Sequence, residues 1–251
     1  MDELLLGPGS AAARDLSGRS GFDTAFLGVP VPVPTLAGVE TVLLPYTHFS
    51  VLMRPDERLA AVTALGIDGA KLMDLDRSGI RWRLDPPLGE DQQTCERVYA
   101  RNDIDRGHLV RRASAVWGET RDEAARANED TFHYTNAAPQ AATFNQGLSL
   151  WLGLETYLQD NAADNGRRLV VFTGPIFSDT DPAYRSVNIP LQFFKVAVFL
   201  HHGDLAATGY IVDRHPSSRT CPTFRGPAPS TRLPRSARSA PSRSPSETLP
   251  P

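Results

Sequence analysis

The residues best suited to chemistry fall in two short stretches. The first reads Asn102-Asp103-Ile104-Asp105-Arg106-Gly107-His108-Leu109. It places a base (His108), a cation (Arg106) and a carboxylate (Asp105) within one turn of chain, and Gly107 permits a tight bend that a side chain would oppose. An imidazole with an ordinary pKa near 6.5 exchanges protons at neutral pH. A planar guanidinium matches two oxygens of one anion. The second stretch runs from Thr131 through Asn136, Pro139 and Gln140 to Phe144-Asn145-Gln146, with four carboxamides in the eleven positions 136–146. Two readings of it stand. Asn and Gln cap loops, or an Asn carbonyl oxygen with water forms a site for a hard cation such as Mg²⁺.

Elements must position these groups. Rising β-branched and aromatic content predicts strands around Thr41–Leu44 and near Phe49–Met53. Ala60–Ile67 reads as a strand ending at the hairpin signal Asp68-Gly69, with Ile80–Leu84 as the strand that follows. Glu119–Asn128 reads as a short helix. Asn145–Asp160 reads as an amphipathic helix stopped by Asn165-Gly166. Leu169–Phe172, Phe193–Leu200 and Thr208–Val212 are apolar, β-rich runs expected to be buried strands, and His201-His202-Gly203-Asp204 an exposed turn. The pattern predicts an α+β fold on a mostly antiparallel sheet. Residues 1–36, rich in Gly, Ala and Pro, read as an N-terminal arm, 37–215 as the domain, and 216–251 as a disordered Arg/Ser/Pro-rich tail.

The chain has 251 residues, 41 % of them hydrophobic, enough for one substantial domain. Its net charge of −3 divides into +5 for 216–251 (six Arg, one Glu) and therefore −8 for 1–215. An acidic body argues against coating nucleic acid by bulk electrostatics, but not against gripping one phosphate with a few arginines and a metal. No run of about 18 apolar residues is present, so no membrane partner is expected. The N-terminus lacks the pattern of a secretory signal, so cytoplasmic residence is the default expectation. Cys95 and Cys221 are read as free thiols. No zinc motif, phosphate-binding loop or nucleophile elbow occurs.

Taken together, Asp105-Arg106-Gly107-His108, Asn136-x-x-Pro139-Gln140, Asn145-Gln146 and Trp151-x-x-Leu154-Glu155 resemble the DNA/RNA non-specific endonucleases, the ββα-metal or His-Me finger nucleases of the endonuclease G-like type. Thr173-Gly174-Pro175-Ile176-Phe177, Ile189-Pro190 and Phe194-Lys195-Val196 match the family's later strands, so the resemblance runs from about Val42 to Asp213. It implies a ββα-metal finger packed on the sheet. The implied activity is Mg²⁺-dependent (or Mn²⁺-dependent) endonucleolytic cleavage of DNA and RNA backbones with little sequence preference, leaving 5′-phosphates. Lack of preference follows because backbone contacts carry no base information. The resemblance makes His108 the general base, Asn145 the metal ligand, Glu155 the holder of metal-bound waters and Arg106 a phosphate contact. Asn136 and Gln140 would steady the loop beside the base. A further phosphate-binding arginine is sought before the motif, where Arg81 is preferred over Arg83. A homodimer or an inhibitor protein as partner is left open. The rival reading is a decayed nuclease scaffold that binds nucleic acid or a protein without cleaving.

The chain departs from the family pattern in two places. Glu155 follows Asn145 by ten residues where the family has eight. Two residues turn a helical side chain by about 200°. Either the helix begins after Asn145, or it bulges, or Glu155 is not the water-holding acid. The Arg/Ser/Pro-rich tail also replaces the ordered C-terminal structure expected of the family.

Overall fold

A computed structural model describes residues 19–141, 156, 162 and 166–213. The helix expected over Asn145–Asp160, with Asn145, Trp151 and Glu155, lies outside the described residues apart from Thr156, as do the tail 216–251 and Cys221.

The centre is a six-stranded antiparallel sheet. Its strands are β1 (Val42–Pro45), β2 (Phe49–Arg54), β3 (Leu59–Asp68), β6 (Arg168–Ile176), β9 (Gln192–His201) and β10 (Asp204–Asp213), in the order β1-β2-β3-β6-β9-β10. Between β3 and β6 the chain makes a long excursion. It contains helix α1 (Glu96–Tyr99), the paired strands β4 (Ile104–His108) and β5 (Ala137–Ala141), and helices α2 (Arg112–Ala115) and α3 (Arg121–Asp130). A small ribbon, β7 (Ala183–Tyr184) with β8 (Val187–Asn188), follows β6.

Every residue of β3 is buried because both faces of the sheet are covered. On one face Leu65, Ile67, Leu169, Val171 and Phe193 pack with Leu109, Val110 and Ala115 of the excursion. On the other, Val62, Ala64, Val170 and Phe172 pack against Phe22, Leu27 and Val31 of the N-terminal arm. The arm, in its described part, is therefore the second layer of the core. β9 and β10 join through His202 (φ 53°) and Gly203 (φ 92°). Two consecutive positive-φ residues make the tight primed turn that the strand twist favours.

The sequence misplaces one strand. Ile80–Leu84 forms only an isolated bridge, Arg83 to His133, in which the Arg83 N–H donates to the Phe132 carbonyl and the Tyr134 N–H to the Arg83 carbonyl. β3 is already paired with β2 and β6, so no edge remains for a hairpin partner. After Asp68 the chain instead turns through Gly69–Lys71, where the Asp68 carboxylate accepts from the Ala70 N–H. Helix α3 begins two residues later than expected, at the Thr120 cap, whose hydroxyl accepts from the Glu123 N–H.

Candidate active site

Strands β4 and β5 form an antiparallel ribbon with His108 opposite Ala137, Arg106 opposite Pro139 and Asp105 opposite Gln140. Side chains alternate along a strand. Arg106 and His108 therefore share one side, across from small or compact partners, and Asp105 and Gly107 share the other.

His108 is held between two aromatic walls. The Trp82 ring lies 4.8 Å from its centroid, and the Phe132 ring stands perpendicular at 5.2 Å. Its Nε2 is buried and has no hydrogen-bond partner among the described residues. Burial first, then the charges of Arg112 and Arg77, lower its pKa to about 3. The imidazole is thus neutral at physiological pH.

Arg106 is ion-paired with Glu96 at the start of α1, and the Tyr134 hydroxyl donates 2.8 Å to the same carboxylate oxygen. The guanidinium lies over the Tyr99 ring at 5.2 Å. These two donors hold the Glu96 carboxyl below its ordinary pKa. Glu96 is largely exposed, and such pairs are worth about 0–1 kcal/mol, so an arriving phosphate can compete for Arg106.

Asn136 is fully buried. Its Oδ1 accepts from the Val110 N–H (2.8 Å), and its Nδ2 donates to the carbonyls of Val110 (3.1 Å) and Thr131 (3.0 Å). Its own carbonyl accepts from the Leu109 N–H. It locks the chain just after His108 onto the start of β5. Gln140 is also fully buried, its carboxamide N and O without a partner among the described residues, and lies across Gly107.

Arg81 is exposed, immediately before Trp82. The sequence reading did not single out Trp82, Phe132, Glu96, Tyr134 or the exposed Arg77, whose charge reaches His108. Phe132 carries no motif of its own, and only its packing marks it. Trp117 is a packing residue. It stacks on His48 at 3.6 Å and donates its indole N–H to the Gly66 carbonyl. Cys95 is a free thiol. Among the described residues no three His, Cys, Asp or Glu side chains cluster as a metal site, and no helix is long and apolar enough to cross a membrane.

Residues 32–229 match the DNA/RNA non-specific endonuclease family, a span that runs past the change of composition near residue 215. The chain is 38 % identical over 237 residues to the uncharacterized protein y4fB of Sinorhizobium fredii, covering 86 % of this chain and 36 % of that one. It is 27 % identical over 165 residues to human mitochondrial endonuclease G, covering 61 % and 52 %. It thus spans about a third to a half of the length of these relatives. Its fold is similar to that in a crystal structure of an EndoG/EndoGI complex, with a TM-score of 0.60, 18 % identity and coverage of 72 % and 76 %.

Proposed function

Because this chain belongs to the DNA/RNA non-specific endonuclease family, we propose that it is a metal-dependent endonuclease that hydrolyses phosphodiester bonds of DNA and RNA. The observation that carries this reading is the neutral His108, its Nε2 unpartnered, on the same side of β4 as Arg106.

Each group has a proposed task. His108 takes a proton from the attacking water through Nε2. Trp82 and Phe132 fix the plane of the ring, which limits the misalignment that costs rate. Arg106 leaves Glu96 for the phosphate, where two parallel N–H bonds meet two oxygens. Arg77 and Arg81 are further phosphate contacts. Arg77 has the stronger electrostatic claim because its charge acts on His108. Asn136 positions His108 and remains outside the reaction. Asn145 is proposed to hold Mg²⁺ (Mn²⁺ as a substitute), with Glu155 acting through water. The donor chemistry fits, because a single carboxamide with water suits a hard cation and needs no cluster of acids. When bound, the metal supplies Lewis-acid stabilisation of the phosphate and the leaving oxygen.

The test is cleavage by the purified protein of supercoiled plasmid, single-stranded DNA and RNA, with Mg²⁺ and with EDTA. Nicking that needs the metal and disappears in His108→Ala is expected. Equal nicking by His108→Ala, or none by the wild type, overturns the reading.

A further inference from the structure

The first described residue of the arm, Arg19, enters a buried acid pair beneath the site. Its guanidinium lies 3.2 Å from Asp130 Oδ1 and 3.7 Å from Asp85 Oδ2, and its Nη2 is 3.1 Å from His133 Nε2. It stacks over the Tyr46 ring at 4.3 Å. The three charged side chains are only 10 %, 0 % and 13 % exposed for Arg19, Asp85 and Asp130. The Tyr46 hydroxyl donates to the same Asp85 oxygen that faces Arg19, while Asp85 Oδ1 is buried without a partner. Asp130 also accepts from the Thr47 N–H and hydroxyl, both at 2.9 Å.

The two acids belong to the two segments that wall His108. Asp85 lies three residues after Trp82, and its backbone is held by Gln93 on both its N–H and its carbonyl. Asp130 lies two residues before Phe132. His133, which contacts Arg19, also accepts the Asn136 N–H at its carbonyl. The segments also meet through the two backbone bonds at Arg83, the contact of its side chain with Glu129, and the Trp82 ring, which lies 5.3 Å from that of Phe132 and 5.8 Å from that of Tyr134. Without Arg19, the buried Asp85 and the largely buried Asp130 would lose the cation they share, keeping only the neutral donors of Tyr46 and Thr47. Like charges in a poorly solvated site separate or take up a proton.

We propose that Arg19 is a positioning residue for the nuclease reaction, clamping through Asp85 and Asp130 the two segments whose Trp82 and Phe132 hold the His108 ring. Arg19 lies outside the family-matched span, which begins at residue 32. The arm is thereby a working part of the site. This inference rests on the assignment of His108 as the base.

The test compares the full chain with Arg19→Gln and Arg19→Lys. For Arg19→Gln, kcat for plasmid nicking is expected to fall on the order of 10²-fold, the scale of a misplaced reacting group. KM should change by less than about twofold, since substrate contacts are untouched. Millimolar guanidinium should restore part of the kcat in the variant and leave the wild type unchanged. Without any nucleic acid, the His108 ring resonances, shifted by Trp82 and Phe132, should move toward those of a free histidine and return with guanidinium. Unchanged kcat and resonances overturn the clamp, as does a loss of activity with unchanged resonances and no rescue. If Arg19→Gln does not fold, Arg19→Lys decides: an intermediate kcat at unchanged KM supports the clamp, and wild-type values overturn it. A wild type that cleaves nothing defeats the proposed function, while the resonance comparison still decides the clamp.

Discussion

The carboxamide of Gln140 occupies the space that a β-carbon on Gly107 would take. The pair sits on the back of β4, on the side away from Arg106 and His108. Gly107 has no positive φ. Its lack of a side chain serves close packing between two strands. Gly107→Ala should therefore push Gln140, or β5 with it, away from the strand that carries His108. Overpacking of this kind typically costs about 1–3 kcal/mol. Urea unfolding and plasmid nicking should both register it, and adding Gln140→Ala should recover stability. A Gly107→Ala protein as stable as the wild type would contradict the close approach.

His108→Ala should leave the fold intact and lower kcat about 10²–10⁴-fold, the usual contribution of a general base. Circular dichroism establishes the fold, and metal-saturated nicking gives the rate. Near-normal cleavage by the folded variant removes His108 from the reaction.

The pH dependence has a definite sign. As the proposed general base His108 acts in its neutral form, and burial lowers its pKa to about 3. Activity should persist well below pH 6.5, with the acid limb of kcat/KM near the lowered value. Trp82→Ala admits water to the ring, so the limb should move up toward 6.5. Stability follows the same linkage. The unfolded chain protonates His108 near 6.5 and the folded chain only near 3, so the folded state is favoured fully above 6.5 and loses ground as pH falls between these values. His48, also lowered by burial, adds in the same direction. An acid limb at 6.5 in the wild type would show that the ring is hydrated in the working enzyme.

Arg77→Ala should raise KM for DNA more than Arg81→Ala does, because of these two arginines it is Arg77 whose charge acts on His108. Steady-state rates across a salt series separate the two, since a lost phosphate contact also flattens the salt dependence. The reverse order would return the phosphate contact to Arg81.

Asn145→Ala should raise the Mg²⁺ requirement further than Glu155→Ala does, because a group acting through water contributes less to affinity than a direct ligand. Mg²⁺ titration of both variants tests this. A larger shift for Glu155→Ala would reassign the ligand.

The strands of the sheet were legible because each carries a dense apolar run closed by a turn residue, and the His202-Gly203 hairpin was legible from its turn chemistry. Ile80–Leu84 looked equally strand-like. What disqualified it was the prior pairing of both edges of β3, a property of the whole sheet. In the site, Arg106 and His108 were legible as residue types at a two-residue spacing. The role of Gly107 was read as a bend and is in fact packing, because Gln140 is distant in sequence. Arg19 offered no signal at all. It is one of two arginines in a Gly- and Pro-rich arm, and its contact with His133 spans 114 residues.

β3 and β6 are neighbours in the sheet, with Asp68 opposite Arg168 and the Arg168 Nε 3.3 Å from an Asp68 carboxylate oxygen across 100 residues of chain. The site therefore hangs on a closed loop whose two ends are knotted at the sheet. Closing a loop of that length costs roughly 4 kcal/mol plus a constant before any contact rewards it. Folding should accordingly be slow for a chain of this size. On the ribosome, β3 waits for β6 before the centre of the sheet can pair. A partly made chain can hold Arg106 and His108 in sequence long before it holds them in place, and the pair is anchored to the sheet only when the later strands have been synthesised.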